Sequence, residues 1–222
     1  PWTRDTACVT FSATKAVTAT AALLLAERGA VSLGSPVADW WPEFAAHGKE
    51  SITGEMLLTH TAGLPAFDRP ITPEQAADFD AMAAQVAGQS PEWEPGTRHG
   101  YHALTFGWLV GELVRRHSGG SGGEFVRREI DPDLWIGVPE AMVDGLAHIA
   151  AASAQSLPPE AAVPHAADAA TLTSVLAAQR DPNSPMHRST TNPSASFNKP
   201  VLLTAGWPAA GLVCTARALA GF

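Results

Sequence analysis

Ser12 and Lys15 stand three positions apart at the start of an apolar run, FSATKAVTATAALLLAERG, at residues 11–29. On a helix this spacing places both side chains on one face, with about 5–6 Å between their Cβ atoms. A serine hydroxyl becomes a good nucleophile when a neighbouring base takes its proton. Lysine can be that base where apolar surroundings lower its pKa. The same spacing also fits a capping serine and a surface lysine on an ordinary helix.

Two further serines lie in patterns that resemble catalytic motifs. Ser196 and Lys199 repeat the S-x-x-K spacing, but Pro200 follows at once and no apolar helix surrounds them, so we interpret this match as chance. GGSGG, at residues 119–123, matches the G-x-S-x-G of a nucleophile elbow, which requires a preceding strand. Here a helical pattern precedes it and the composition is that of a linker, so Ser121 is the weaker candidate.

The composition indicates a globular chain without the basic patches of a nucleic-acid-binding protein. Its 222 residues are 45% hydrophobic, and the formal net charge is −8, with no cluster of Lys and Arg larger than a short pair. We therefore expect a small-molecule partner and no nucleic acid. The longest apolar stretch, residues 16–26, is too short to cross a bilayer. No basic leader precedes it, which favours a cytoplasmic location, with a secreted or periplasmic one left open because the chain starts at Pro1.

The cysteines and histidines do not predict a metal or redox site. Cys8 and Cys214 lie far apart and lack any CxxC spacing, so two free thiols are favoured over one long-range disulfide. The histidines near the middle of the chain have neither helical i,i+4 pairing nor neighbouring acidic ligands. We expect no metal and no cofactor; these histidines are His47, His60, His99 and His102.

The elements that would hold these residues are mostly helical. Hydrophobic periodicity and capping residues predict the helices, and strands are indicated only at two short segments with alternating hydrophobicity. The region 153–198 is rich in Ala, Pro, Ser and Thr and is predicted to be a loop-rich region or an insertion. The predicted helices are Ser12–Arg28, Thr53–Thr59, one beginning at Thr72, one ending at Gly119, Gly123–Ile130 and Ala167–Gln179; the strands are Thr6–Thr10 and Lys199–Thr204.

Three motifs in order carry a resemblance to a known family. They are Ser12-x-x-Lys15 at the head of an apolar helix, LLTHTAGLP at residues 57–65 and GYHALTFGWLVGELV at residues 100–114. With them the chain resembles the penicillin-recognising SxxK serine hydrolases, and most of all the class C β-lactamase-like carboxylesterases called family VIII. The similarity covers nearly everything from Trp2 to about Gly137. It implies a β-lactamase/penicillin-binding-protein-like α/β (α+β) fold.

The resemblance also implies a role for individual residues. Ser12 would be the acylated nucleophile, Lys15 the residue that takes its proton, and Tyr101 the phenol that shuttles protons to the leaving group and activates the deacylating water. His60, in the H-T-x-G-L loop, would hold that loop by hydrogen bonds. The tryptophans are expected in the core; they are Trp40, Trp41, Trp108 and Trp207.

The chain departs from the family pattern in two places. The asparagine of the family's Y-x-N motif is replaced, because His102 and Ala103 follow Tyr101. The loss of this amide favours ester substrates over lactams, with His102 and Ala103 as candidate substrate-binding positions; a helix-surface histidine is the alternative for His102. The family's third motif, K-T-G or its H-x-G and W-x-G variants, is not found.

These observations together predict a serine hydrolase that cleaves carboxylic esters through an acyl-enzyme. We expect residues 1–222 to be a single domain truncated at both ends, carrying mostly the helical part of the fold and an incomplete antiparallel sheet. The alternatives are a weak β-lactamase or D-amino-acid peptidase on the same site, and a non-catalytic penicillin-binding-like homologue. The sequence does not predict the oligomeric state.

Overall fold

The computed structural model of the chain describes residues 2–150, 169–194 and 196–222. Short 3-10 turns lie at Phe11–Ala13, Val37–Asp39, Pro42–Ala45 and Glu140–Gly145. The other elements, in chain order, are β1 (Ala7–Val9), α1 (Thr14–Glu27), α2 (Gly54–Leu58), α3 (Pro73–Ala76), α4 (Phe79–Gly88), α5 (Thr105–Ser118), α6 (Gly122–Glu129), β2 (Trp135–Ile136), α7 (Ala169–Arg180), α8 (Pro185–Thr191), α9 (Pro200–Ala205), β3 (Leu212–Thr215) and α10 (Ala216–Gly221).

A small antiparallel sheet joins the two ends of the chain. Its strand order is β1-β3-β2, so β3 lies between a strand that precedes Ser12 and one that follows α6. Cys8 is the register partner of Cys214, and both thiols are free, as predicted. The strand predicted at Thr6–Thr10 is confirmed. The strand predicted at Lys199–Thr204 is wrong: Lys199 caps α9, and Pro200 starts this helix because the first helical position needs no N–H donor.

Helix α5 forms the centre of the core, with α1 packed against it. Every residue of α5 from Thr105 to Val114 is buried, which explains why its sequence is nearly continuous in apolar residues. Gly119 follows the helix with φ of +73°, the left-handed conformation that glycine favours at a helix C-terminus. Trp41, Trp108 and Trp207 are buried, which confirms the core positions predicted for them.

The segment that carries Ser12 differs from the predicted Ser12–Arg28 helix in its first residues. Ser12 lies in the 3-10 turn Phe11–Ala13, and α1 begins at Thr14. The helix predicted from Thr72 begins there with the expected capping box, but it stops at Ala76. Asp78 then caps a second helix, α4, because its carboxylate accepts a hydrogen bond from the backbone N–H of Ala81.

Ser121 is part of a helix cap. Its hydroxyl accepts from the N–H of Glu124 at 3.2 Å, and the Glu124 carboxylate accepts from the N–H of Ser121 at 3.0 Å. This reciprocal pair is a capping box at the start of α6. The alternative of a nucleophile elbow at Ser121 is therefore wrong, since a helix precedes this serine and its oxygen is used by the cap.

Within the region 153–198, α7 confirms the helix predicted at Ala167–Gln179 for its described part, and α8 is a further helix. The interpretation of the whole region as loop-rich or as an insertion stays a prediction. Residues 153–168 of that region lie outside the described residues. Ser184 caps α8 through the N–H of His187, and Asn192 binds the loop before α3 by donating to the carbonyl of Arg69. Across the ranges that the structure describes, no helix combines the length and apolar character needed to cross a membrane.

Candidate active site

The Ser12 hydroxyl is exposed and lies between two potential proton carriers. The Tyr101 hydroxyl donates to Ser12 Oγ at 2.7 Å, and Lys15 Nζ donates to the same oxygen at 3.3 Å. Lys15 is in the first turn of α1, whereas Tyr101 comes from the loop before α5. The structure therefore brings together the three residues to which the resemblance gave catalytic roles.

Lys15 is buried, and no carboxylate of the described residues pairs with it. It is 9% exposed, and Nζ donates to the carbonyl oxygens of Ala103 at 2.7 Å and Ala209 at 2.8 Å. Burial lowers the pKa of Lys15 from 10.5 to about 8. A neutral amine that keeps its two N–H bonds on these two carbonyls would have its lone pair left for the Ser12 proton. This arrangement suits a general base that acts slightly above neutral pH.

The second carbonyl belongs to a segment that α1 itself holds in place. Thr18 donates to the carbonyl of Pro208 at 2.7 Å, and the Thr14 hydroxyl accepts from the N–H of Leu212 at 2.9 Å. Gly107 of α5 makes room on the other flank, because a Cβ at this position would lie 2.8 Å from the backbone nitrogen of Ala209. Gly107, Thr14 and Thr18 thus fix the position of the segment whose Ala209 carbonyl accepts a hydrogen bond from Lys15.

The residues on both sides of Tyr101 are hydrogen-bonded to His60. The N–H of Gly100 donates to the carbonyl of His60 at 3.1 Å, and the N–H of His102 donates to His60 Nδ1 at 3.2 Å. The rings of His60 and Tyr101 meet edge to face, with centroids 5.2 Å apart. Burial, with Lys15 and His99 nearby, lowers the pKa of His60 to about 4, so Nδ1 stays an acceptor at neutral pH. These hydrogen bonds join the H-T-x-G-L loop of His60 to the loop that carries Tyr101, in line with the structural role expected of His60.

His102 does not lie on a surface or line a pocket. It is 0% exposed, and its Nε2 accepts from the N–H of Leu64 at 2.9 Å while Nδ1 lies 2.5 Å from the carbonyl of Gly100. The tautomer that satisfies both contacts is neutral with the proton on Nδ1, and burial lowers the pKa to about 4. The expectations of a substrate-binding or helix-surface imidazole are therefore corrected: the ring joins two loops behind Tyr101.

Ala103 contributes its backbone to the site. Its side chain is 5% exposed, and its carbonyl is an acceptor for Lys15. Position 103, a candidate for substrate binding, therefore binds the side chain of Lys15 through its backbone carbonyl in this structure. Sequence reasoning missed both carbonyls, of Ala103 and Ala209, because a backbone oxygen leaves no signature in residue identity.

Replacing His60 with alanine tests the loop that carries Tyr101. The variant removes the acceptor for the His102 N–H and the ring contact with Tyr101, so we expect kcat for an ester to fall by about 10- to 100-fold with little change in KM. The measurement is steady-state hydrolysis of p-nitrophenyl butyrate near pH 8. His99→Ala is the matched control, because His99 is exposed and contacts His60 only by its ring edge. Equal losses in both variants would contradict the prediction.

Within the described ranges no three His, Cys, Asp or Glu side chains converge as metal ligands would. The second S-x-x-K segment does not form a comparable site either. Lys199 is exposed, and its backbone N–H, as the cap of α9, donates to the carbonyl of Ser196. The interpretation of this match as chance stands as a prediction.

The chain is similar in sequence and in structure to known proteins, and their names are consistent with one another. The chain is 39% identical over 146 residues to the Esterase/beta-lactamase LipL of Mycobacterium tuberculosis, covering 64% of this chain and 34% of that protein. It superposes on the crystal structure of a family VIII carboxylesterase with a TM-score of 0.78 and 29% identity, covering 97% of this chain and 54% of the other. A penicillin-binding protein homologue from Caulobacter crescentus gives 0.74 and 33%, covering 98% and 54%.

The chain thus spans about a third of one relative and about half of the two structures. These likenesses confirm the β-lactamase/penicillin-binding-protein-like fold, here with many helices and a small open antiparallel sheet. The family model described as Beta-lactamase matches residues 1–222. The chain therefore belongs to the beta-lactamase family.

Proposed function

We propose that the protein hydrolyses carboxylic esters of small molecules through an acyl-enzyme on Ser12. The observation that carries this proposal is the position of Ser12 Oγ, within hydrogen-bond reach of both the Tyr101 hydroxyl and the Nζ of a buried lysine. A serine with a base at this distance is the arrangement that acyl transfer requires. The names of the relatives, an esterase/beta-lactamase and a family VIII carboxylesterase, support the same class of reaction.

The reaction would proceed in two steps. Lys15, as the neutral amine, takes the Ser12 proton while Oγ forms a bond to the substrate carbonyl carbon. The ester C–O bond then breaks, and the leaving alkoxide receives a proton from Tyr101, which recovers one from Lys15. In the second step a water gives up a proton to the same pair and attacks the acyl carbon. The bond between this carbon and Ser12 Oγ then breaks, Oγ takes the proton back from the pair, and the carboxylic acid leaves. The side chains of this chain carry every proton transfer in this route.

Ester cleavage is the favoured activity because position 103 carries no amide. The backbone carbonyl of Ala103 accepts a hydrogen bond from Lys15. The methyl side chain of Ala103 has no group that can donate to the carbonyl of an amide substrate. Lactam hydrolysis is the second candidate, and the double name of the LipL relative supports it. A binding protein without catalysis remains the contrasting class, and the experiment below separates it from both.

The test combines a chromogenic ester, a chromogenic lactam and a covalent probe. We expect hydrolysis of p-nitrophenyl butyrate, slow or no hydrolysis of nitrocefin, and a fluorophosphonate adduct that peptide mapping places on Ser12. Fast nitrocefin turnover would assign the protein to the lactamases instead. A folded protein that neither turns over an ester nor accepts the probe would contradict the enzymatic proposal and favour the binding class.

A further inference from the structure

Phe11 precedes the Ser12 nucleophile and presents its ring to solvent. It is 43% exposed, one of a few large apolar side chains exposed in the described ranges. Its φ of +50° lies in the left-handed region, which bulky L residues rarely adopt. Such outliers cluster at functional sites, where the surroundings hold the backbone in the unusual conformation. A large residue in this place therefore calls for an explanation that packing alone does not supply.

The surroundings of Phe11 hold its backbone firmly. Its carbonyl accepts from the Thr14 hydroxyl at 2.5 Å, and this hydroxyl accepts from the N–H of Leu212 at 2.9 Å. The ring meets Phe197 edge to face, with centroids 5.3 Å apart. Phe197 in turn meets the buried Trp207 at 5.8 Å. The exposed ring is thus the outer end of an aromatic row that begins in the core.

We propose that Phe11 and Phe197 form an apolar wall for the acyl group of the ester. This proposal rests on the proposed function and names its substrate class: esters whose acyl group is aromatic or a medium-length hydrocarbon. Phe11 and Ser12 are neighbours in the chain, with about 3.8 Å between their Cα atoms. An acyl group bonded to Ser12 Oγ stays beside this wall through both steps, whereas the alcohol leaves after the first. Burial of its apolar surface against the two rings would stabilise both transition states.

The test compares acyl groups on a constant leaving group. For wild type we expect kcat/KM for p-nitrophenyl hexanoate and phenylacetate to exceed that for p-nitrophenyl acetate. Phe11→Gly should lower these ratios by about tenfold, the scale of discrimination by a small apolar pocket, and Phe11→Leu by less. Glycine tolerates a φ of +50°, so Phe11→Gly should keep its melting temperature. Leu23→Ala, which truncates another exposed apolar side chain on the same segment, is the control and should keep the ratios.

Two results would overturn the acyl wall while leaving the ester hydrolase intact. One is an unchanged acyl ratio in Phe11→Gly with a lowered melting temperature, which would make Phe11 a packing residue. The other is a changed ratio of kcat/KM for 4-methylumbelliferyl acetate to that for p-nitrophenyl acetate, two esters that differ only in the leaving alcohol, with no change in the acyl ratio. A wild type without turnover of any ester, and without adduct formation by phenylmethanesulfonyl fluoride or methanesulfonyl fluoride, would instead remove the proposed function and the wall with it.

Discussion

Ser12→Ala is expected to lower kcat/KM for p-nitrophenyl butyrate by about 10⁴-fold or more, and to abolish the fluorophosphonate adduct. The reason is that, among the residues that the structure describes, only Ser12 Oγ contacts both the Tyr101 hydroxyl and Lys15 Nζ, so we expect no other oxygen to take over the attack. The variant should fold normally, because the Ser12 side chain is exposed. Initial rates, with intact-mass spectra of the labelled protein, make the measurement.

Ser121→Ala is the control for this experiment. Its hydroxyl caps α6, so the variant should lose about 1 kcal/mol of stability and keep its ester turnover and its adduct. Labelling that survives Ser12→Ala and disappears in Ser121→Ala would overturn the assignment of the nucleophile.

Lys15→Met is expected to lower kcat/KM by about 10²- to 10⁴-fold, the contribution of a general base. Lys15→Arg should be equally inactive if Lys15 acts as a base, because a guanidinium keeps its proton at any working pH. Lys49→Met is the matched control. Lys49 is also fully buried, and its Nζ donates to the backbone carbonyls of Ala46 and Gln89, both at 2.6 Å. We expect Lys49→Met to lose stability and keep kcat/KM; substantial activity in Lys15→Arg would contradict the base role.

The pH dependence of the wild type follows from the lowered pKa of Lys15. Activity should rise as the pH increases through about 8, where Lys15 loses its proton in the folded protein. In the unfolded chain the same group keeps its proton up to its ordinary pKa of 10.5. The unfolded state therefore binds more protons between about pH 8 and 10.5, and this group makes stability increase with pH over that window. Below pH 8 the buried charge exerts its full penalty.

Melting temperatures at pH 7 and pH 9.5 can check that sign. The difference between wild type and Lys15→Met should shift in favour of wild type at the higher pH, because only wild type carries the titrating amine. The residual activity of Lys15→Met should also lack the inflection near pH 8. An inflection that persists in the variant would assign it to another group.

The sequence predicted the helical framework well where local signals are strong. The helix predicted from Thr53 is capped by this residue, Thr72 caps a helix as expected, and Gly119 ends α5. Two local patterns were ambiguous, and the prediction was wrong for the first of them. The alternation at Lys199–Thr204 belongs to a helix that Pro200 initiates, and Ser121 carried a capping-box signal, S-x-x-E, beside the elbow motif. In both cases the neighbouring residues, and not the motif letters, decide the structure.

The candidate site was predictable only in its side chains. Ser12, Lys15 and Tyr101 come together as the resemblance implied, since their motifs are linear. The carbonyls of Ala103 and Ala209 could not be predicted, because backbone acceptors depend on how distant segments pack and not on residue type. The prediction for His102 was wrong for a related reason. A histidine at a helix start is polar in sequence, yet hydrogen bonds to two loops permit its complete burial.

The hydrogen-bond partners of helix α1 lie far away along the chain. Ala209 follows Lys15 by 194 positions, and Leu212 follows Thr14 by 198. Contacts of such long range close only once both segments exist, and during synthesis the first segment emerges long before the second. Until then Lys15 is a hydrated, protonated side chain and Ser12 an ordinary alcohol. On the proposed function, we therefore expect the growing polypeptide to carry no activated serine on the ribosome until the segment at Ala209 and Leu212 docks.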